Sequence, residues 1–156
     1  MKKNQKGFSL IELLIVVAII LIIAAIAIPN LLRSRMAANE ASAVGSIRTV
    51  NTAAVTYSTT YPDAGYPTTL AQLAPSASAS SSAADLIDSV LSGGTKSGYT
   101  FTMTAGTGAS TPQTSYTVAS APVSSSSGTR TFYSDQSGVI RGSATGTATS
   151  TSAPLQ

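Results

Sequence analysis

The sequence predicts an α+β chain in which a long N-terminal helix packs on a small antiparallel β-meander. Two patterns in its 156 residues indicate this fold. The first is an apolar run followed directly by a stretch of helical periodicity, and the two together reach about residue 61. The second is a change to alternating apolar and polar residues from residue 96, in short segments separated by Gly, Ser and Pro. Helix first and strands afterwards is the order typical of α+β chains.

The apolar segment, residues 8–29, is predicted to be a membrane-spanning helix. Nineteen of its first twenty-one residues are apolar, and the two exceptions are Ser9 and Glu12. At about 1.5 Å per residue, a helix of this length covers roughly 30 Å, the thickness of the hydrocarbon in a bilayer. Residues 1–7 contain three lysines and no acidic residue, so the N-terminus is expected in the cytoplasm and the chain beyond Pro29 on the other side.

The helix is expected to continue past Pro29 as an amphipathic segment over residues 30–61. Proline removes one backbone hydrogen bond, so we expect a kink at this point rather than an end. Two prolines and a glycine in YPDAGYP, residues 61–67, then end the helix. The apolar stripe of this segment recurs every three or four positions and consists of Val44, Ile47, Val50, Ala54, Tyr57 and Tyr61.

Residues 62–95 are predicted to form a variable loop with two short helices. The stretch TTLAQLAP forms one helical turn, with Leu70 and Leu73 directed inward. The stretch DLIDSVLSGG forms the second, with Asp85 as its N-cap and two glycines at its end.

Residues 96–142 are predicted to form the antiparallel β-meander. In YTFTMT, three large apolar residues alternate with threonines, as in a half-buried strand. Asp first and Gly fourth in DQSG, residues 135–138, predict a tight turn before the last strand. Residues 143–156 contain almost no core-forming side chains and are expected to be a flexible or surface-draped tail.

The composition argues against an enzyme and against a nucleic-acid-binding protein. Cys and His are absent, so the usual nucleophile partners, general bases and transition-metal ligands are missing. We expect no catalytic residue, no metal site and no cofactor. The net charge of +3 comes from the three lysines of residues 1–7, because the other six basic residues balance six acidic ones and are scattered along the chain.

The carboxylate of Glu12 argues against an ordinary membrane anchor. An acidic residue costs about 2.5 to 3.5 kcal/mol at the centre of a membrane helix and less near its end. The stretch KGFSLIELLIVVAII, followed by AAIAIPN, closely resembles the N-terminus of type IV pilins and of the pseudopilins of type II secretion. This resemblance covers residues 6 to about 33, and the rest of the chain is similar to that family in layout only. The alternative is an anchored protein or a secretory signal, cut after AIA to release a chain that begins at Ile28.

The resemblance implies a processing route and roles for particular residues. In that family prepilin peptidase would cut between Gly7 and Phe8, so residues 1–7 would be a leader peptide, and would then methylate the new amino group of Phe8. Glu12 would pair with the amine of Phe8 on a neighbouring subunit. Alternatively, Glu12 faces headgroups or water, or serves only in recognition by the assembly platform.

The resemblance also implies a pilin-like fold and a structural function. The chain would be a subunit of a type IV pilus, a fimbrium used in cell adhesion or motility, and would assemble with itself from the bacterial inner membrane into a surface filament. A platform protein and an assembly ATPase would be its further partners. The alternative is a pseudopilin of a type II secretion system in a periplasmic pseudopilus. Asp135 alone lies where the major pseudopilins hold calcium, which favours the pilus.

The sequence departs from the family pattern midway along the span. Leu21 stands where many type IV pilins have a glycine. Any local unwinding of the helix in a filament would therefore depend on Pro29, which we expect to contribute to assembly.

Overall fold

A computed structural model describes residues 7–106 and 111–155, and it has the predicted α+β architecture. Residues 1–6 of the predicted leader lie outside the described residues. The chain divides after Arg35 into two compact units, six residues beyond the boundary predicted at Pro29. The elements are α1 (Leu10–Thr60), a 3-10 helix (Leu70–Leu73), α2 (Ser89–Ser92), β1 (Thr95–Lys96), β2 (Tyr99–Ala105), β3 (Tyr116–Pro122), β4 (Thr131–Asp135) and β5 (Arg141–Ser143).

Helix α1 continues through Pro29 and ends at Thr60, directly before the two prolines and the glycine of YPDAGYP. Both observations confirm the predicted extent of the helix. The predicted apolar stripe is also its buried face, since Val44 and Tyr61 are partly buried against the same core. The fully buried residues of α1 are Ala43, Ser46, Ile47, Val50, Ala53, Ala54 and Tyr57.

The five strands form one antiparallel sheet in the order β1-β2-β3-β4-β5, which confirms the predicted meander. In β2 the buried residues Tyr99, Phe101 and Met103 alternate with exposed threonines. These side chains form one hydrophobic core with the buried face of α1, together with Tyr116, Val118 and Phe132 from the next two strands. Packing of the amphipathic part of α1 on the sheet follows directly from the two periodicities in the sequence.

Three tyrosines of this core are fully buried, and their hydroxyl groups are satisfied by protein atoms. A buried hydroxyl needs a hydrogen-bond acceptor, and each of these three hydroxyls donates to a protein oxygen. The pairs are Tyr57 Oη to the Ser81 carbonyl (2.6 Å), Tyr99 Oη to the Arg130 carbonyl (2.9 Å) and Tyr116 Oη to Asn51 Oδ1 (3.1 Å).

The N-cap of α2 is Asp88, which corrects the prediction of Asp85. Oδ1 of Asp88 accepts from the backbone N–H groups of Val90 and Leu91, both at 3.0 Å. Asp85 instead has a positive φ of 56°, and its N–H donates to the Ala74 carbonyl at 2.9 Å. It belongs to the turn that runs back along the 3-10 helix. The backbone pairing of this loop delays the start of α2 by three residues.

The DQSG turn between β4 and β5 forms as predicted. The N–H of Gly138 donates to the carbonyl of Asp135 at 2.9 Å, and Gly138 has the positive φ of 74° that glycine tolerates. Oδ1 of Asp135 accepts from the N–H of Ser137 at 2.9 Å. The interpretation of Asp135 as a turn-forming residue is confirmed.

The C-terminal tail, expected to be flexible or surface-draped, makes backbone hydrogen bonds beside β5. The N–H of Leu155 donates to the Ile140 carbonyl at 2.8 Å, and the N–H of Gly142 donates to the Ala153 carbonyl at 3.0 Å. Ala148 is buried and Leu155 packs against the core. Since β5 is a short strand at the edge of the sheet, the tail supplies partners to backbone groups that this edge would leave unpaired.

Candidate functional site

The predicted cleavage point lies just before α1, outside regular secondary structure. Residues 7–9 have no regular secondary structure, and Phe8 is 83% exposed. A Cβ added at Gly7 would meet no atom within 4 Å, and the φ of Gly7 lies outside the left-handed region. Within residues 7–106 and 111–155, the fold therefore gives no steric reason for a glycine at this position.

Glu12 lies in the first turn of α1 and has a partner in its own chain. Helix α1 begins at Leu10, which makes Ser9 its N-cap and Glu12 its third residue. The Ser9 N–H donates to Glu12 Oε2 at 2.8 Å, and the Ser9 carbonyl accepts from the Leu13 N–H at 3.2 Å. The sequence prediction considered a partner on another subunit and missed this one. The sequence signal for this hydrogen bond is a Ser followed three residues later by a Glu, directly ahead of an apolar run. This is the spacing of a capping box.

The apolar part of α1 is exposed around its whole circumference. Every Leu, Ile and Val from Leu10 to Ile28 is between 46% and 80% exposed. Helix α1 includes a stretch that is long and apolar enough to cross a membrane, judged by length and composition. An apolar surface of this extent is stable only against lipid or against other apolar helices.

Pro29 lies inside α1 and is exposed. Two small residues, Ala24 and Ala25, leave an open apolar hollow beside it, which is also lined by Leu21 and Ile28. At about 1.5 Å per residue, Pro29 lies about 25 Å along the helix from Glu12. The structure thus brings together Gly7, Phe8 and Glu12 at one end of the helix and places Pro29 apart from them.

The comparisons with known proteins concern this same segment. Residues 2–28 match the family model of the prokaryotic N-terminal methylation motif. The chain carries this methylation motif at its N-terminus. Three of the predicted site residues, Gly7, Phe8 and Glu12, lie inside the matched range, and Pro29 follows directly after it.

The N-terminal segment is also similar to part of a pilus protein. Over 38 residues the chain is 66% identical to the type IV wide pilus major component PilA4 of Thermus thermophilus. The match covers 24% of this chain and 29% of that relative, so the chain spans less than a third of the relative's length. No solved structure is significantly similar to the chain.

Proposed function

We propose that this chain is a structural subunit of a type IV pilus, assembled from the inner membrane through its apolar helix. The exposed apolar surface of α1 is the observation that carries this proposal. Within the methylation-motif segment, none of the large apolar side chains from Leu10 to Ile28 is covered by the described part of its own chain. A helix of this kind can be solvated by lipid first and by neighbouring copies later, without meeting water in between.

Processing removes the lysines and keeps the helix. Cleavage between Gly7 and Phe8 by prepilin peptidase takes residues 1–7 away, and methylation follows at the new amine of Phe8. Two features support this route: the scissile bond is exposed and lies outside regular secondary structure, and the described residues give no steric reason for a glycine at position 7. A peptidase that closes around the chain would account for the glycine.

Glu12 then pairs with the amine of Phe8 on a neighbouring subunit. An ammonium and a carboxylate are each costly in a dry helix bundle, and each compensates the other when they meet. Because one carboxylate meets one amine, the pair also fixes the axial register of neighbouring subunits. Pro29, with the hollow beside it, would supply a second contact along the helix.

Assembly would require other proteins besides this chain. The sequence contains no GxxxxGK[ST] nucleotide-binding loop, so the work of extracting the helix from lipid would be done by an assembly ATPase acting through a platform protein. The similarity to a major pilus component favours a surface pilus over a type II secretion pseudopilus. Asp135, the one candidate calcium ligand, is engaged in the DQSG turn.

Filaments sheared from the cell surface test the proposal. They should consist mainly of this chain, and mass spectrometry of their N-terminal peptide should show N-methylated Phe8. A chain confined to short periplasmic fibres would favour the pseudopilus. A released chain that begins at Ile28 would contradict both and indicate an ordinary secretory signal.

A further inference from the structure

The hydrogen bond inside the first turn of α1 lies within a single chain and involves no neighbouring subunit. The Ser9 N–H to Glu12 Oε2 bond, at 2.8 Å, joins the N-cap residue to the third helical residue of the same chain. A Glu that reaches back to the N-cap amide is one half of a capping box. Glu12 therefore has a function within a single subunit, before any neighbour is present.

A helix end placed in or near lipid has a particular need for such a bond. The first N–H groups of any helix have no acceptor in a preceding turn. In hydrocarbon, water cannot take the place of that acceptor. The positive end of the helix dipole also stabilises a carboxylate in the first turn. The bond thus satisfies a backbone donor and holds the Glu12 charge where the helix itself favours it.

We propose that Glu12 has two partners in succession, the Ser9 N–H of its own chain and then the Phe8 amine of a neighbour. Oε2 holds the N–H, whereas Oε1 accepts no hydrogen bond from any atom within residues 7–106 and 111–155. The second oxygen is thereby left for the incoming ammonium. The second step rests on the proposed function, but the first does not.

Ser9 is then a positioning residue that acts through its backbone. A Glu side chain in water samples many rotamers, and each one that must be fixed on binding weakens association. Because Oε2 is already bound, the Glu12 carboxylate is held against the helix before the neighbour arrives. The capped subunit is a preorganised acceptor for an amine.

Amide hydrogen exchange at Ser9 tests the first step directly. The experiment uses the full chain, labelled with ¹⁵N and held in phospholipid nanodiscs, with exchange followed by NMR. Exchange at Ser9 should be about fivefold faster in Glu12→Ala, the usual effect of losing a helix cap. It should stay within about twofold of the wild type in Glu12→Gln, which keeps an oxygen acceptor at the same place. The N–H of Leu21, inside the hydrogen-bond ladder of α1, is the internal control and should exchange at the same rate in all three chains.

Either of two results would contradict the proposal that Glu12 caps the first turn of α1. The first is equal exchange at Ser9 in the wild type and in Glu12→Ala, and the second is exchange in Glu12→Gln as fast as in Glu12→Ala. Filament formation by the same variants tests the second step separately. Glu12→Gln should assemble no filaments because it has no charge for the ammonium, and abundant filaments from it would refute the pairing with Phe8 while leaving the cap in place.

Discussion

Gly7 and Gly45 are both exposed, and a Cβ at either one would meet no atom within 4 Å. Their roles nevertheless differ under the proposed processing route, because Gly7 borders the scissile bond and Gly45 lies on the outer face of α1. Gly7→Leu should block maturation and leave a precursor that still carries the three leader lysines. Gly45→Ala is the control and should be processed at the normal rate. Mobility on a denaturing gel separates the two forms, and normal processing of Gly7→Leu would contradict the prepilin route.

Glu12→Ala should separate membrane insertion and cleavage from assembly. Removing the charge lowers the cost of insertion, and the scissile bond lies five residues away, so insertion and cleavage should persist. Filaments should be lost or sharply reduced, because each buried ammonium would lack its partner at a cost of about 3 to 5 kcal/mol. Co-expression of the wild-type chain should give partial rescue.

An immunoblot of precursor processing and electron microscopy of surface filaments, in one strain, check this prediction. Abundant filaments of Glu12→Ala would refute the pairing with Phe8. Loss of filaments together with failed cleavage would instead assign Glu12 to processing.

The short helix α2 depends on Asp88, and its pH response follows from the hydrogen bonds of that carboxylate. A hydrogen bond from Lys96, with Oδ2 and Nζ 2.9 Å apart, and the backbone N–H groups of Leu91 and Val90 lower the pKa of Asp88 below its usual value. A lowered pKa contributes stability that is present above the unfolded-state pKa and is lost as pH falls through the folded-state pKa.

Asp88→Ala should therefore lower the free energy of unfolding by about 1 kcal/mol at neutral pH, the usual value of an N-cap. The difference should shrink as the pH falls below about 4, where the wild-type carboxylate becomes protonated. Asp85→Asn, which keeps a residue that tolerates positive φ, is the matched control and should change stability little. Urea unfolding at several pH values measures both variants, and equal losses from the two substitutions would contradict the assignment of the cap.

The elements with clear periodicity could be predicted from the sequence, and those held by backbone contacts could not. The stripe through Ile47 and Val50, and the alternation in β2, each fix which face is buried. The cap at Asp88 could not be chosen over Asp85, because both precede the same short apolar stretch. The sequence could not decide between a flexible and a surface-draped tail, because the contacts use backbone groups of Ala153 and Leu155 and leave no pattern in the side chains.

Part of the candidate site was predictable for a different reason. Gly7, Phe8 and Glu12 lie in a segment that matches a known sequence motif. Under the proposed function, processing and assembly rather than the fold determine its residues, so the motif can be read from the sequence alone. The hydrogen bond between Ser9 and Glu12 could have been predicted from the capping-box spacing in the sequence. It was missed because a carboxylate in an apolar run suggests a charged partner first.

The unit that begins at Met36 contains the whole core, which predicts that it folds without the apolar span. A chain that lacks residues 1–35 should be soluble and monomeric, since the exposed apolar surface is removed and the amphipathic part of α1 keeps its sheet. Circular dichroism and analytical ultracentrifugation check the fold and the mass. Aggregation or an unfolded spectrum would show that the span is needed for the core to form.

The buried tyrosines predict the alkaline limit of this folded unit. The pKa values of Tyr99 and Tyr116 are each raised to about 12, and burial of the side chain is the largest cause. Because the pKa is raised in the folded state, the contribution to stability is complete below about 10, the unfolded-state value, and is lost as pH rises from there to about 12.

The free energy of unfolding of the chain without residues 1–35 should accordingly fall as the pH rises from about 10 to about 12. The increase in tyrosinate absorbance should coincide with the loss of far-ultraviolet ellipticity. Ionisation of all the tyrosines near pH 10 with no loss of ellipticity would contradict the burial of Tyr99 and Tyr116.

The tail beside β5 has a consequence for the proposed filament. Such a filament would hold many identical sheets at high local concentration, and a bare strand edge under such crowding favours strand exchange between neighbours. The contacts at Ile140 and Gly142 occupy part of that edge with the chain's own backbone. In the proposed filament the tail would therefore disfavour association through strand edges, while the apolar helix remains available for ordered assembly.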